Sequence, residues 1–173
     1  MISRNYKICL VGDPGVGKTS LALRQAHGTF PTSHHPTLGI NFVIWNTIKN
    51  NIRIKLIIAD SGSQERFLSV LPTYFKNSLA AAVIYDISKK ETFINLDNWI
   101  KILSESVSQI PFILIGNKSD KKSKREVTQE EGKKFAEKHK TEYFEVSAKE
   151  RTNMREMFLK IIEIVMVGDK SLK

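Results

Sequence analysis

The sequence predicts an α/β fold, a mostly parallel six-stranded sheet with helices on both faces. Three observations lead there. Short apolar runs alternate with helix-period segments along the chain, the pattern of parallel strands joined by helical crossovers. Two of those runs, Leu79 to Tyr85 and Pro111 to Ile115, are continuously apolar, as strands covered on both faces are. Two Ser/Thr-x-x-Glu sequences, Ser88 to Glu91 and Thr128 to Glu131, are capping-box signals for helix starts.

The elements follow in order. Tyr6 to Val11 is the first strand, ending at a glycine loop, and Thr19 to Ala26 reads as helix. Phe42 to Ile48 and Ile52 to Ala59 read as two strands joined by the tight polar turn Lys49-Asn50-Asn51. After the Leu79 strand, the helix opened by Ser88 and Glu91 sets Phe93, Leu96, Ile100, Leu103 and Val107 on one stripe. The Pro111 strand is followed by the helix that Thr128 opens and by a short strand from Tyr143 to Val146. A last helix carries Met154, Met157, Phe158, Ile161 and Val165 on one face. No repeat, low-complexity run or long linker divides the 173 residues. One domain over 1–173 is expected, with 168–173 as the start of a C-terminal tail.

Composition narrows the partners. The net charge of +9 suits nucleic acid or an acidic membrane surface. The densest basic stretch, Lys118 to Lys140, alternates with Glu126, Glu130, Glu131 and Glu137, which reads as a solvated loop and helix face. No aromatic interleaves with Lys121, Lys122, Lys124 and Arg125, so no nucleic-acid partner is expected. No window approaches a membrane span. The first five residues lead straight into an apolar run, so no secretory signal is expected. The single cysteine, Cys9, cannot form an internal disulfide; it reads as a buried core thiol in a cytosolic protein.

In such sheets ligands bind beyond the carboxyl ends of the strands, and the informative loops stand there. Gly12-Asp13-Pro14-Gly15-Val16-Gly17-Lys18-Thr19 matches G-x-x-x-x-G-K-[ST] between a strand and a helix. Its glycines let backbone N–H groups turn toward phosphate oxygens, and the helix behind adds its positive end. The phosphate cradle is therefore assigned to Asp13, Pro14, Gly15, Val16, Gly17, Lys18, Thr19 and Ser20. Lys18 should reach the β- and γ-phosphates, and the Thr19 hydroxyl should bind Mg²⁺. Asn117-Lys118-Ser119-Asp120 follows the Pro111 strand. A carboxylate there accepts from guanine's N1–H and N2–H₂, where adenine offers no such donors, so Asp120 selects GTP and GDP over ATP. Ser147-Ala148-Lys149, after the next strand, supplies a second loop beside the base.

These sequences, with Pro36-Thr37-Leu38-Gly39 and Asp60-Ser61-Gly62-Ser63-Gln64-Glu65, resemble the motifs of Ras-like small GTPases from Tyr6 to Val167. Thr37-Leu38-Gly39-Ile40-Asn41-Phe42, Gln64-Glu65-Arg66-Phe67 and Ala81 to Ile87 are similar to the Rab branch, and Leu71 to Phe75 to its endocytic members. The resemblance implies a P-loop G domain in which Thr37 meets Mg²⁺ and the γ-phosphate in the GTP state. It implies that Asp60 holds Mg²⁺ through water, that Gln64 orients the attacking water, and that Ser63 stands where an N–H meets the γ-phosphate. Phe30 resembles the aromatic that packs on guanine, although a plain hydrophobic anchor is the other reading. Gln64, Lys18 and Thr37 are thus the catalytic set, and Thr19, Thr37 and Asp60 the metal set.

The chain departs from the family at several of these positions. Ser61-Gly62-Ser63 replaces Thr-Ala-Gly, and a serine at 63 tolerates a left-handed backbone poorly. Ala59 stands where most Rabs carry a tryptophan of the aromatic effector patch, with Phe42 and Tyr74 matching the other members; His34 replaces a frequent tyrosine. The expected function is a slow GTP-hydrolysing switch of vesicular traffic on the cytosolic face of membranes. A nucleotide-binding scaffold with impaired hydrolysis is the alternative. Implied partners are effectors, exchange factors and GTPase-activating proteins, with the chain itself a monomer. No cysteine ends the sequence at Lys173, so a lipid anchor is expected if the native chain extends further.

Overall fold

The computed structural model describes residues 2–32, 35–62 and 68–169. Readings placed on His34, Ser63, Gln64, Glu65, Arg66 and Phe67 lie outside these residues. The strands are β1 (Ile2–Val11), β2 (Ile40–Lys49), β3 (Ile52–Ser61), β4 (Ala80–Asp86), β5 (Phe112–Asn117) and β6 (Tyr143–Glu145). The helices are α1 (Lys18–His27), α2 (Leu71–Phe75), α3 (Lys90–Ile94), α4 (Leu96–Ser106), α5 (Gln129–Lys138) and α6 (Met154–Gly168).

The strands form one sheet in the order β2-β3-β1-β4-β5-β6. Every pairing is parallel except β2 with β3. That pair closes through Asn50 and Asn51 at φ of 50° and 58°, the left-handed pair a two-residue hairpin needs and asparagine tolerates. Sheet residues alternate between two cores. Tyr6, Ile8 and Leu10 pack with α1 and with Met154, Met157, Phe158, Ile161 and Val165 of α6. Cys9 and Val11 pack with Leu71 and Phe75 of α2, Leu96, Trp99 and Leu103 of α4, and Ala136 of α5. Each large side chain buried this way contributes about 1.5–3 kcal/mol, so the apolar stripes fix the helices and, through them, the loops at the strand ends. Burial pushes the Cys9 thiol up to about 12, so it is an inert core group, as expected.

One capping box forms and the other does not. Thr128 Oγ1 accepts from Glu131 N at 3.2 Å and Glu131 returns a bond to Thr128 N at 2.8 Å, opening α5. Ser88 instead directs its N–H and its hydroxyl to Asp86 Oδ1, at 2.9 and 2.7 Å. α3 therefore starts at Lys90 without a side-chain cap, and the predicted helix is divided at Asn95. The stripe survives the division: Leu96 and Leu103 are buried, and Phe93, Ile100 and Val107 pack against them. No described helix is long and apolar enough to cross a membrane.

Candidate nucleotide site

The loops after β1, β5 and β6 meet in one cavity of about 850 Å³ at the carboxyl end of the sheet. Pro14, Gly15, Gly17, Lys18, Thr19 and Ser20 line it from the β1 side. Asn117, Lys118, Asp120, Ala148 and Lys149 line the opposite wall, with Phe30 and Thr37 from the segment before β2. Asp13, Val16 and Ser147, also predicted to bind, contribute differently. Val16 is a core side chain. The Asp13 carboxylate turns away, accepting from Asn95 Nδ2 and Trp99 Nε1, each at 2.6 Å; what both residues can offer a phosphate is backbone. Ser147 is buried and donates its hydroxyl to Asp120 Oδ1 at 2.6 Å.

The phosphate end is built around Lys18. Its ammonium donates to the carbonyls of Gly12 and Asp13 at 2.7 and 2.9 Å. Burial drives it down to about 8, while the charges of Asp60 and Asp13 pull the other way. A buried cation of this kind is stabilised by an anion arriving in the cavity. Gly17 stands at φ 101°, with the Asn117 amide closer than 3.0 Å to where a Cβ would sit. A side chain there would strain the turn and displace the guanine loop.

Beside Lys18, the three predicted metal residues converge. Thr19 Oγ1 donates to Asp60 Oδ2 at 2.6 Å and lies 2.9 Å from Thr37 Oγ1. Asp60 is fully buried, and its Oδ1 has no hydrogen-bond partner. Burial raises its carboxyl, against the Thr19 hydrogen bond and the Lys18 charge. Among the described residues no cluster of three His, Cys, Asp or Glu could hold a metal. One carboxylate and two hydroxyls instead fit a hard cation of the Mg²⁺ type, which keeps waters and takes phosphate oxygens for the rest of its shell. The orphaned Asp60 Oδ1 is the acceptor such a hydrated ion would satisfy.

The base end depends on a bridge that the sequence motifs do not announce. β5 ends at Asn117, and Lys118 follows at φ 65°, a left-handed value that costs a lysine about 1 kcal/mol or more. Lys118 Nζ reaches Gly15 O at 2.6 Å and Asp86 Oδ2 at 2.7 Å. Burial opposes the Asp86 charge, but hydrogen bonds from Lys118 and Ser88 outweigh it and hold this carboxyl below the usual range. Asn117 Nδ2 donates to Val16 O at 2.8 Å, so the guanine loop is tied to the phosphate loop at two points. Beneath it, Arg125 meets Glu145 in a two-pronged pair at 2.7 and 2.8 Å. Asp86, His35, Lys121, Ser123 and Lys124 were missed from sequence; all but Asp86 border the cavity. Asp86 could have been suspected as the polar residue ending an otherwise apolar strand.

A mostly parallel sheet whose first loop is a G-x-x-x-x-G-K-T cradle opening into a cavity is the architecture of a P-loop nucleotide-binding protein. The model of the Ras family matches residues 7–167. Ras-related protein Rab-13 of Rattus norvegicus is 35% identical over 163 residues, covering 94% of this chain and 80% of the relative. Rab-22A of Homo sapiens is 36% identical over 173 residues, covering 99% and 89%. RabC of Dictyostelium discoideum is 37% identical over 172 residues, covering 97% and 87%. The chain belongs to the Ras family of small GTPases, in its Rab branch.

Proposed function

We propose that this chain is a guanine-nucleotide switch of membrane traffic that binds GTP and GDP with Mg²⁺ and hydrolyses GTP slowly. The observation that carries the reading is the shared cavity: Asp120 at one end and Thr19 and Thr37 at the other, with buried Asp60 bonded to Thr19 behind them. Asp120, oriented by Ser147, reads guanine, and Phe30 packs on the base. The phosphate loop from Asp13 to Ser20 holds the phosphates, with Lys18 neutralising charge on the β- and γ-groups. Mg²⁺, held by Thr19, Thr37 and water-linked Asp60, would supply charge neutralisation at the same phosphates. Gln64 orients water, and the Ser63 N–H meets the γ-phosphate. Residues 1–173 act as one monomeric G domain, and a lipid anchor would tether it to the cytosolic face of membranes if the native chain extends beyond Lys173.

Effectors, exchange factors and activating proteins complete the cycle. Phe42 and Tyr74 support an effector surface: both are exposed and their rings lie 6.5 Å apart, while Ala59, the ladder partner of Phe42, is buried. The patch is therefore smaller than one carrying a tryptophan. Ser63 favours the second reading, a scaffold with impaired hydrolysis. Chromatography of the nucleotide released from purified protein, followed by single-turnover hydrolysis of preloaded GTP, tests both. Guanine nucleotide and turnover on the order of 10⁻⁴ per second or slower are expected. Bound adenine nucleotide would overturn the switch reading, and tight GTP without turnover would establish the scaffold.

A further inference from the structure

Where β1, β2 and β3 run side by side, the basic residues of the two sheet faces differ in their partners. On the α6 face, Arg4 meets Asp169 at 3.4 Å and Lys49 meets Glu163 at 2.6 Å. On the opposite face α2 covers only the region of Cys9 and Ala59, and the neighbouring rungs stay partly or fully open. Ile44 lies beside Ile57, and Ile57 beside Lys7; Lys55 stands between Asn46 and Asn5, and Arg53 between Ile48 and Ser3. Phe42, Ile44 and Ile48 are exposed along β2, so an apolar column runs next to a basic one of Lys7, Lys55 and Arg53. The only acidic residue of these three strands is Asp60, which is fully buried. Among the described residues no carboxylate pairs with Lys7, Lys55 or Arg53. Lys7 is also held still. Its ammonium donates to the carbonyls of Tyr74 and Lys76 at 2.5 and 3.0 Å and lies 5.5 Å from the centre of the Phe42 ring. The carbonyls fix the charge without neutralising it and leave a third donor for a partner.

Resting on the effector reading of Phe42 and Tyr74, we propose that this face docks an amphipathic helix of a partner protein, one whose polar flank is acidic. The dimensions agree. From Phe42 to Ile48 the apolar column is about 20 Å long, and three strands span about 10 Å, the length and width of a helix of roughly 13 residues. The helix lays its apolar stripe along Phe42, Ile44 and Ile57 and turns its acidic flank to Lys7, Lys55 and Arg53. Successive basic rungs are two residues, about 7 Å, apart along the strands. Carboxylates four residues apart on a helix are spaced by about 6 Å, so one flank can meet the whole basic column. Charge complementarity of this kind selects the partner and speeds its encounter. An anionic membrane is the other acidic surface, and Lys7 argues against it. The residue is half-buried against the Tyr74 and Lys76 backbone, where a helix side chain reaches it and a flat bilayer does not. The buried Ala59 leaves the aromatic patch small, and the basic column supplies the specificity that the missing ring does not.

The probe is a displayed library of helical peptides of about 14 residues, with a fixed leucine stripe at helical spacing and flanks drawn from Glu, Gln and Lys. It is selected on the unmodified protein carrying a non-hydrolysable GTP analogue. Glu flanks should be enriched, and the enriched helices should bind more weakly as salt rises. Against them, Lys7→Gln, Lys55→Gln and Arg53→Gln should each lose roughly two- to fivefold, the worth of a solvent-exposed ion pair, with guanine-nucleotide affinity unchanged. Enrichment of Gln or Lys flanks, enrichment of no helix, or acidic helices indifferent to all three substitutions would overturn the inference. Binding to phosphatidylserine vesicles that the three substitutions abolish, with no helix enriched, would overturn it too and give the face to the membrane. Acidic helices that bind the GDP and GTP-analogue forms alike would uphold the docking face and remove the effector reading. Should the protein bind no guanine nucleotide, the switch reading falls, and selection on that same protein still decides the docking face.

Discussion

Asp86→Asn isolates the bridge that joins the two ends of the cavity. Asp86 is fully buried; its carboxylate accepts two bonds from Ser88 and faces Lys118 at 2.7 Å. Asparagine keeps the shape and one acceptor, so Ser88 can stay bonded. Its amide N–H then points donors at the Lys118 ammonium, which is left partly buried without its counter-charge. Removing one partner of a buried pair costs about 3–5 kcal/mol. The Lys118 side chain is 25% exposed, so water recovers part of this, leaving about 2 kcal/mol. The same displacement frees the Lys118 contact to Gly15 O, so GDP should dissociate faster by roughly tenfold to thirtyfold. Urea unfolding and fluorescent-GDP release are the assays. Because Asp86's folded pKa is depressed, its contribution is present above the unfolded value of about 3.9 and is lost as pH falls through the folded one. The stability gap between parent and variant should therefore close in acid. Equal stability and equal release rates at neutral pH would refute the argument, since the bridge would then hold nothing.

The remaining predictions address the site and its support. Lys18→Ala should weaken both nucleotides by at least about tenfold, the value of a charge-assisted bond, and Thr19→Asn should weaken GTP more than GDP; Mg²⁺-dependent titrations measure both. Asp120→Asn should shift preference from guanine toward xanthine nucleotides, whose extra carbonyl accepts from the new amide; competition binding decides. Ser63→Gly should speed single-turnover hydrolysis if residue 63 needs a glycine-like φ, by roughly tenfold per 1.4 kcal/mol of strain relieved, and an unchanged rate would remove that strain argument. Glu145→Gln should weaken the pair with Arg125 and flatten the acid limb of the unfolding profile. Burial would raise Glu145, but Arg125, Tyr143 and Gln129 hold it below its ordinary range, so its contribution too is lost as pH falls.

The strands were legible because burial on both faces leaves continuous apolar runs, and the α6 stripe because its five predicted positions are all buried. That the loops after β1, β5 and β6 would meet in one cavity was legible because each follows a strand at the carboxyl end of the sheet. Competition was harder to read. Ser88 carries a good capping signal, yet a buried carboxylate two residues away is the stronger claimant on its donors, and α3 starts late. Asp13 belongs to the phosphate loop by motif, but nothing local announces that Trp99 and Asn95, more than eighty residues on, bind its carboxylate. Each miss depends on a contact between segments distant in sequence, which local pattern does not encode.

The central claim is that this cavity reads guanine and does so through Asp120. Competition of GDP, GTP, ADP and ATP against a fluorescent guanine nucleotide, with Mg²⁺ at neutral pH, tests it most directly. Guanine nucleotides should displace the probe at micromolar concentrations or below. Adenine nucleotides should be weaker on the order of a thousandfold or more, because Asp120 would be left without its donors. Equal displacement by ATP and GTP would contradict the account.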